Sequence, residues 1–360
     1  MYNASNSDIK IISERKKDGI HIPLTKNVQA RYGANYLDYV KLIHNALPEI
    51  DYDDINLSIK FLKHNFDAPL IIDSMTGGTL EAEKINSKLG KLAEKYGFAM
   101  GLGSQRAGLK TKSLAKTYNI ARKSAPSAFL IANIGGAQLS EGLEESQIEK
   151  ILDMINANAL VIHLNPLQEL IQPEGEPRYR GVLDKIKNIS KTFKIPIIVK
   201  EVGSGISKEV AIKLEKAGID AINIAGSGGT SWAGIEKIRA EQVNNNLKTH
   251  LGELFWDWGI PTAVSLIEVK RSVKIPIIAS GGIRNGLEIA KCLVLGAEMC
   301  AMAYPFLKAA SQSTENLFEF ADRTLSELKS TMFLTGTMRI PELSKLRYIL
   351  TDELAERVRK

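Results

Sequence analysis

Cysteine is almost absent from this sequence. Its 360 residues contain two cysteines, Cys292 and Cys300, which is too few for a disulfide framework or for a zinc site built from cysteine. Both lie in apolar patterns typical of buried free thiols, which a reducing compartment preserves. We therefore expect a cytoplasmic protein without structural disulfides.

The sequence also lacks the patterns of a secretory signal and of a membrane span. Residues 1–17 are polar and have no apolar core. The longest uncharged stretch, from Ser124 to Ser140, contains Pro126 and the Gly135-Gly136 pair, which argue against a membrane helix of about 20 apolar residues. We expect no membrane partner.

Common nucleotide and metal fingerprints are missing as well. There is no GxGxxG motif, no P-loop and no HExxH motif. The net charge of +6 suits an anionic substrate or nucleic acid. Because Lys and Arg are scattered rather than clustered, we expect no nucleic-acid partner.

The chain does contain a regular alternation of short apolar runs and amphipathic segments. Continuous apolar runs are typical of parallel strands buried on both faces. The eight runs are 68–73, 98–101, 129–133, 159–164, 196–200, 220–225, 276–280 and 298–303. The segments between them have helical spacing, and the stretch 306–332 is long and amphipathic.

Eight successive strand-helix units predict an α/β fold, a closed (β/α)8 TIM barrel over residues 68–332. We expect residues 1–67 to form an N-terminal capping segment that contributes to the substrate site. Residues 333–360 are expected to form a C-terminal extension. An open doubly wound sheet is the alternative, but it would need fewer strands or a break in topology.

The strand ends are rich in glycine beside small or amide residues, and barrel enzymes place their active sites at the C-terminal strand ends. Two loops, Gly228-Gly229-Thr230 and Gly281-Gly282-Ile283-Arg284, follow the sixth and seventh strands, near where barrels bind phosphate. The guanidinium of Arg284 suits bidentate binding of a phosphate. These loops predict a phosphate-binding site.

The loop after the fourth strand holds His163, Asn165, Gln168 and Glu169. One carboxylate with amides suits Mg²⁺, which takes few protein ligands, and does not suit Zn²⁺. Lys200 ends the fifth strand and is expected to point into the barrel mouth. It either pairs with a carboxylate such as Glu201 or stabilises negative charge on a cofactor.

Several longer motifs occur in a familiar order and spacing. They are Met75-Thr76-Gly77-Gly78, Gly103-Ser104-Gln105-Arg106, Ala132-Asn133, the HLNPLQE segment at 163–169, Val199-Lys200-Glu201, GGTSW at 228–232, Ser280-Gly281-Gly282 and Leu334-Thr335-Gly336. In these motifs the chain resembles the type 2 isopentenyl-diphosphate isomerases, which are FMN-dependent barrel enzymes. The resemblance extends from about Arg15 to Gly336.

The resemblance implies a set of site residues. FMN would be held by Asp73, Ser74, Met75, Thr76, Ser104, Asn133, Lys200, Thr230, Gly282, Ile283, Arg284, Ala303 and Tyr304. A diphosphate substrate would contact Arg15, Lys16, Ser104, Gln105, Arg106 and Gln168, and Glu169 would carry Mg²⁺. His163, Gln168 and Lys200 would act with FMN in catalysis.

The resemblance also implies a reaction. It is the isomerisation of isopentenyl diphosphate to dimethylallyl diphosphate by a 1,3-proton shift, with reduced FMN and no net redox change, in isoprenoid biosynthesis. NADPH would reduce the flavin, and the protein would be a tetramer or octamer. The chain departs from the family at two places: the family's histidine three residues after the Arg-Lys pair is not matched in spacing by His21, and Asn223 stands where the family often has Asp.

Two other functions stay open at this point. One is a different FMN barrel, such as a 2-hydroxy-acid oxidase, which needs a strand-end histidine base and paired arginines for a carboxylate. The late loops here offer one arginine and no histidine. The other is a binding protein without catalysis that uses a barrel scaffold and a basic surface.

Overall fold

The computed structural model describes residues 6–32 and 34–359, with side chains from Ser13 onward. Its centre is a closed barrel of eight parallel strands, which confirms the (β/α)8 prediction and excludes the open sheet. In chain order they are β1 (Leu70–Ile72), β2 (Ala99–Gly101), β3 (Leu130–Gly135), β4 (Ala159–His163), β5 (Ile197–Lys200), β6 (Ala221–Asn223), β7 (Ile277–Ala279) and β8 (Met299–Met302).

The strands are apolar throughout because both of their faces are buried. Alternate residues such as Ile71, Val161 and Ile198 pack inside the barrel. Their neighbours, such as Ile72 and Ile162, belong to the outer core beneath the helices. The barrel closes where β8 pairs with β1, with Cys300 opposite Leu70.

Helices follow every strand: the units of β1, β2, β5 and β7 have one helix each, those of β3, β4 and β8 have two, and that of β6 has three. The barrel helices are Leu80–Tyr96, Lys112–Ser124, Gly136–Ser140, Glu145–Ile155, Pro166–Ile171, Val182–Thr192, Lys208–Lys216, Trp232–Gln242, Asn246–Leu254, Thr262–Ser272, Gly286–Val294, Tyr304–Gln312 and Thr314–Thr335. Two short helices, Ile340–Leu343 and Asp352–Arg357, lie in the C-terminal part. Short 3₁₀ turns occupy Leu37–Tyr39, Tyr52–Asp54 and Gln105–Leu109.

The amphipathic stretch 306–332 is interrupted at Ser313. Its backbone is extended there, and its side chain accepts the N–H of Asn316, so Ser313 is the N-cap of a second helix. The sixth unit carries extra structure that the sequence did not predict, because the helices Trp232–Gln242 and Asn246–Leu254 precede Thr262–Ser272.

The N-terminal segment reaches both ends of the barrel. The hairpin of Ile59–Phe61 and His64–Phe66 lies at the N-terminal end of the strands, where Phe66 meets Phe129 edge-on with ring centroids 5.4 Å apart. The helix Asn6–Thr25 lies at the opposite end, beside the strand-end loops. A two-stranded ribbon of Val40–Leu42 and Tyr348–Leu350 joins this segment to the C-terminal part.

No helix in the described ranges is both long and apolar enough to cross a membrane.

Candidate functional site

Two adjoining cavities open at the C-terminal ends of the strands. The first, which we call the glycine-loop cavity, holds about 890 Å³ of space, including the part open to solvent, and is lined by the ends of β1 and β5–β8. The second, the charged cavity, holds about 880 Å³ of space, including the part open to solvent, and is lined by the ends of β1–β5 together with the helices Asn6–Thr25 and Trp232–Gln242. Lys200, Met75 and Trp232 line both, so the two cavities share a wall.

The sequence-predicted residues fall almost entirely on these walls. The predicted residues that line the glycine-loop cavity are Asp73, Ser74, Met75, Lys200, Thr230, Gly282, Ile283, Arg284, Ala303 and Tyr304. Those that line the charged cavity are Arg15, Lys16, Ser104, Arg106, Asn133, His163, Gln168 and Glu169. Thr76 and Gln105 lie behind the walls, and neither is among the residues that line the two cavities.

Glycine is required where the loops after β6 and β7 pack against each other. A Cβ on Gly229 would lie 2.6 Å from the backbone nitrogen of Gly282. Gly282 itself has a φ of +74°, and a Cβ there would lie 2.5 Å from the oxygen of Gly228. Beside these loops, burial lowers the pKa of Arg284, and a desolvated cation of this kind favours an anionic partner.

The strand ends beneath the glycine-loop cavity carry a buried polar chain. The ammonium of Lys200 lies 3.6 Å from Asp73 Oδ2 and donates to the backbone oxygen of Glu201 at 2.7 Å. Asn223 donates to Asp73 at 3.4 Å and accepts from the hydroxyl of Ser280 at 2.6 Å. The neutral amide of Asn223 thus binds a carboxylate that a second acidic group would repel.

Of the two alternatives for Lys200, the structure shows the pairing with a carboxylate, but Glu201, the example named from the sequence, is not the partner. The Glu201 carboxylate turns back onto its own loop, where Oε2 accepts the N–H groups of Val202, Gly203 and Ser204 at 2.5–2.6 Å. The partner of Lys200 is Asp73 on β1, which is far away in sequence. Closure of the barrel brings the two strand ends together.

His163 is a neutral residue at the end of β4. Burial and the nearby Lys200 ammonium lower its pKa to about 3. Its Nδ1 lies 2.7 Å from Asn133 Oδ1, and Asn133 uses its own amide hydrogens on the Leu102 carbonyl. The proton of the neutral ring is therefore on Nδ1, which leaves Nε2 as a hydrogen-bond acceptor.

A buried network fixes Gln168. Its amide donates to Glu236 Oε1 at 2.9 Å, and Arg239 donates to the other oxygen of Glu236 at 2.7 Å. Arg239 also binds Glu174 at 2.8 Å and Asp18 of the N-terminal helix at 3.1 Å. Burial raises the pKa of Glu236, and the charge of Arg239 opposes that rise.

The sequence analysis did not single out Glu236 and Arg239. Their i,i+3 spacing on a helix that begins at Trp232 is a signal from which the pair could have been predicted.

Five cationic side chains line the charged cavity, and three of them, Arg15, Lys16 and Arg106, lie close to one another. Arg106 also pairs with Glu141 at 3.2 Å. Burial and the two arginines lower the pKa of Lys16 to about 7, and its ammonium donates to the oxygen of Ser104 at 3.2 Å. Such a cluster of like charges is unfavourable alone and is suited to a multiply charged anion.

Gln105 and His21 lie outside this cluster. Gln105 is fully buried, donates to the Ile151 carbonyl at 3.0 Å and accepts the N–H of Asn133 at 3.1 Å, so it supports Asn133 from behind. His21 is exposed and pairs with Glu81 at 2.8 Å. Gly19, three residues after Lys16, lines both cavities instead.

Glu169 is buried and lines the charged cavity. Its two oxygens accept from the Asn165 amide at 3.1 Å and from the Glu176 N–H at 3.2 Å. Across the described part of the chain, no group of three or more His, Cys, Asp or Glu side chains is placed to hold a metal. A cation at Glu169 would therefore need ligands from the bound anion and water.

Comparison with known proteins identifies relatives of this chain. Residues 163–349 match the family model described as FMN-dependent dehydrogenase. The isopentenyl-diphosphate delta-isomerase of Methanothermobacter thermautotrophicus is 43% identical over 346 residues, which cover 96% of this chain and 95% of that protein. The protein of the same name from Pyrobaculum islandicum is 46% identical over 335 residues, covering 92% and 93%.

Solved structures share the fold at much lower identity. A flavocytochrome b2 variant with sulfite bound has a TM-score of 0.68 at 17% identity, and the match covers 98% of this chain and 88% of that one. A chimeric (S)-mandelate dehydrogenase variant has a TM-score of 0.67 at 14% identity, covering 96% and 99%. These likenesses establish the barrel architecture.

Proposed function

Because the chain belongs to the isopentenyl-diphosphate delta-isomerase family, we propose that it converts isopentenyl diphosphate into dimethylallyl diphosphate by a 1,3-proton shift with reduced FMN and no net redox change. One observation carries this proposal: a cavity suited to a flavin adjoins a cavity suited to a diphosphate, and Lys200 lines both. The reaction is a step of isoprenoid biosynthesis.

The glycine-loop cavity fits FMN in donor chemistry and in its apolar wall. Met75, Ile283 and Met302 supply apolar surface for a flat ring. Thr230 and Arg284 would hold the phosphate, and Lys200 would favour negative charge on the ring. When bound in its reduced form, FMN supplies an acid-base group for proton exchange at carbon.

The charged cavity would bind the diphosphate. Arg15, Lys16 and Arg106 would neutralise it, and Glu169 would hold a Mg²⁺ ion that supplies further positive charge to the phosphate groups. A single protein carboxylate is the donor set that Mg²⁺ accepts when a substrate supplies phosphate oxygens. The cluster of cations would thus fix one end of the substrate.

The neighbouring side chains would orient the hydrocarbon end and keep water from it. Gln168 is held by Glu236, and His163 is held by Asn133, so both present fixed polar atoms to the cavity. Neutral His163 is a poor proton donor, because its low pKa keeps it uncharged at neutral pH. Trp232 lies in the shared wall and would shield the reacting carbons.

We also propose a reductant for the flavin, a cellular compartment and an oligomeric state. NADPH would reduce the flavin, the protein would act in the cytoplasm, and it would form a tetramer or octamer. The helix Asn246–Leu254 and the segment after it support assembly, because Leu247, Leu254 and Trp258 are exposed apolar side chains. Contacts with a further copy would cover such a patch.

The test is a product assay on the purified protein reconstituted with FMN and Mg²⁺. We expect isopentenyl diphosphate to yield dimethylallyl diphosphate after reduction with NADPH, with far less than one NADPH consumed per product because the two isomers have the same oxidation state. Consumption of lactate or mandelate with oxygen, and no isomer formed, would instead favour the 2-hydroxy-acid oxidase alternative. Salt-sensitive nucleic-acid binding by a protein that takes up no flavin would favour the binding-protein alternative.

A further inference from the structure

The segment after the N-terminal helix is attached to the loop that follows β6. The N–H of Ser231 donates to the Val28 oxygen at 2.7 Å, and the N–H of Ala30 donates to the Gly229 oxygen at 2.8 Å. Between these two bonds, Gln29 faces Thr230 in an antiparallel bridge. The indole N–H of Trp256 donates to the Gln29 oxygen at 3.0 Å and fixes the backbone from the other side.

The side chain of Gln29 connects two loops. Its Oε1 accepts from Arg284 at 2.7 Å, and its Nε2 donates to Thr230 Oγ1 at 3.3 Å. Arg284 follows β7 and Thr230 follows β6, so one amide holds the two side chains that the proposed function assigns to the flavin phosphate.

The chemistry of an amide suits this position. A neutral acceptor orients the Arg284 guanidinium without cancelling its charge, whereas a carboxylate would form an ion pair that competes with a bound anion. Because Thr230 Oγ1 accepts a hydrogen from Gln29, its own hydroxyl hydrogen is left to donate elsewhere. Both groups are thus prepared to donate to the same anion.

We propose that Gln29 is a positioning residue that holds Arg284 and Thr230 in place to bind the terminal phosphate of FMN. The inference rests on the proposed FMN site. According to this inference, the segment that precedes the barrel contributes to binding of the phosphate. The sequence pattern of that segment did not predict a role in cofactor binding. Gln29 acts through its two partners rather than by a contact of its own with the flavin.

Comparison of FMN with riboflavin tests this role, because riboflavin has the same ring and lacks the phosphate. The dissociation constants of both would be measured by fluorescence quenching for wild type, Gln29→Ala, Gln29→Glu and Arg284→Ala. Gln242→Ala, an exposed glutamine at a helix end, is the matched control. Thermal unfolding of each flavin-free protein reports on folding.

We expect Gln29→Ala to weaken FMN binding about tenfold and to leave riboflavin binding unchanged. Gln29→Glu should weaken FMN binding further, because its carboxylate neutralises Arg284. The double variant Gln29→Ala with Arg284→Ala should bind FMN about as well as Arg284→Ala alone, because Gln29 acts mainly through Arg284.

Two results would overturn the inference while leaving the proposed function intact. One is weaker FMN binding in Arg284→Ala with unchanged binding in Gln29→Ala. The other is an equal loss of FMN and riboflavin binding in Gln29→Ala, which would indicate a structural role only. A wild-type protein that binds neither flavin would overturn both the proposed function and the role of Gln29.

Discussion

The side-chain amide of Gln168 donates to Glu236 Oε1 at 2.9 Å and joins the loop after β4 to the helix Trp232–Gln242. Arg239 occupies the second oxygen of Glu236 at 2.7 Å, so the carboxylate has a partner on each side. A buried carboxylate with two such partners fixes the position of Gln168 in the charged cavity.

Glu236→Gln should therefore reduce turnover more than substrate binding. The new amide keeps one acceptor oxygen for two donors, so either Gln168 or Arg239 loses its hydrogen bond to this side chain, and Arg239 has Glu174 and Asp18 as further partners. We expect kcat to fall by about tenfold or more while KM changes less than about threefold. Steady-state kinetics check this, with Glu241→Gln as control because Glu241 is exposed on the same helix. Equal losses in both variants would contradict the role of Glu236.

The lowered pKa of Lys16, about 7, predicts a pH effect on substrate capture. Lys16 is protonated below that pH and neutral above it, so attraction for the diphosphate weakens as pH rises. We expect kcat/KM, which reports the free enzyme, to fall above about pH 7. Lys16→Arg should remove this fall, because arginine stays charged.

The measurement is a profile of kcat/KM from pH 6 to 9. Lys17→Arg is the matched control, since Lys17 is the exposed neighbour of Lys16. Arg106→Ala should raise KM across the whole range by removing a permanent charge. Identical profiles in wild type and Lys16→Arg would show that another group governs the pH dependence.

Glu169→Gln should raise the Mg²⁺ concentration needed for half-maximal activity by about tenfold or more. The reason is that one carboxylate is the main protein ligand available to a cation there, and an amide oxygen carries no charge. Activity would be titrated with Mg²⁺ after treatment with a chelator. Glu149→Gln, on an exposed glutamate that lines neither cavity, should behave as wild type. Full wild-type activity in the chelator would refute a role for the metal.

Glu201 predicts a pH dependence of stability. Burial raises its pKa to about 7, although three backbone N–H groups favour the charged form. A carboxyl group whose pKa is higher in the folded state stabilises the fold fully below its unfolded pKa, and this contribution is lost as pH rises through about 7. The loss between pH 5 and pH 8 should be on the order of 2–3 kcal/mol in unfolding free energy.

Glu201→Gln should flatten this dependence, because the amide is neutral at every pH and can still accept the N–H groups of the loop. Thermal unfolding at pH 5 and pH 8 would measure the change. The exposed Glu149→Gln should keep the wild-type slope. A parallel decline in wild type and Glu201→Gln would mean that other groups titrate.

The barrel and the position of its mouth could be predicted from the sequence. Each of the eight apolar runs contains or overlaps a barrel strand, because strands buried on both faces need apolar residues at consecutive positions. Residues at or just after the ends of those runs must lie at one end of a parallel barrel, so the sequence alone places Lys200, Thr230 and Arg284 at the same end.

The partners of those residues were decided only by the tertiary structure. Lys200 pairs with Asp73 because closure of the barrel brings strand ends together, and local sequence does not show which carboxylate lies nearest. Gln29 binds Arg284, although the two residues are 255 positions apart in the sequence. The segment that contains Gln29 is irregular, so no periodic pattern in the sequence predicts its path over the barrel mouth. Sequence patterns record which faces are buried, whereas hydrogen bonds between distant side chains depend on how the chain packs in three dimensions.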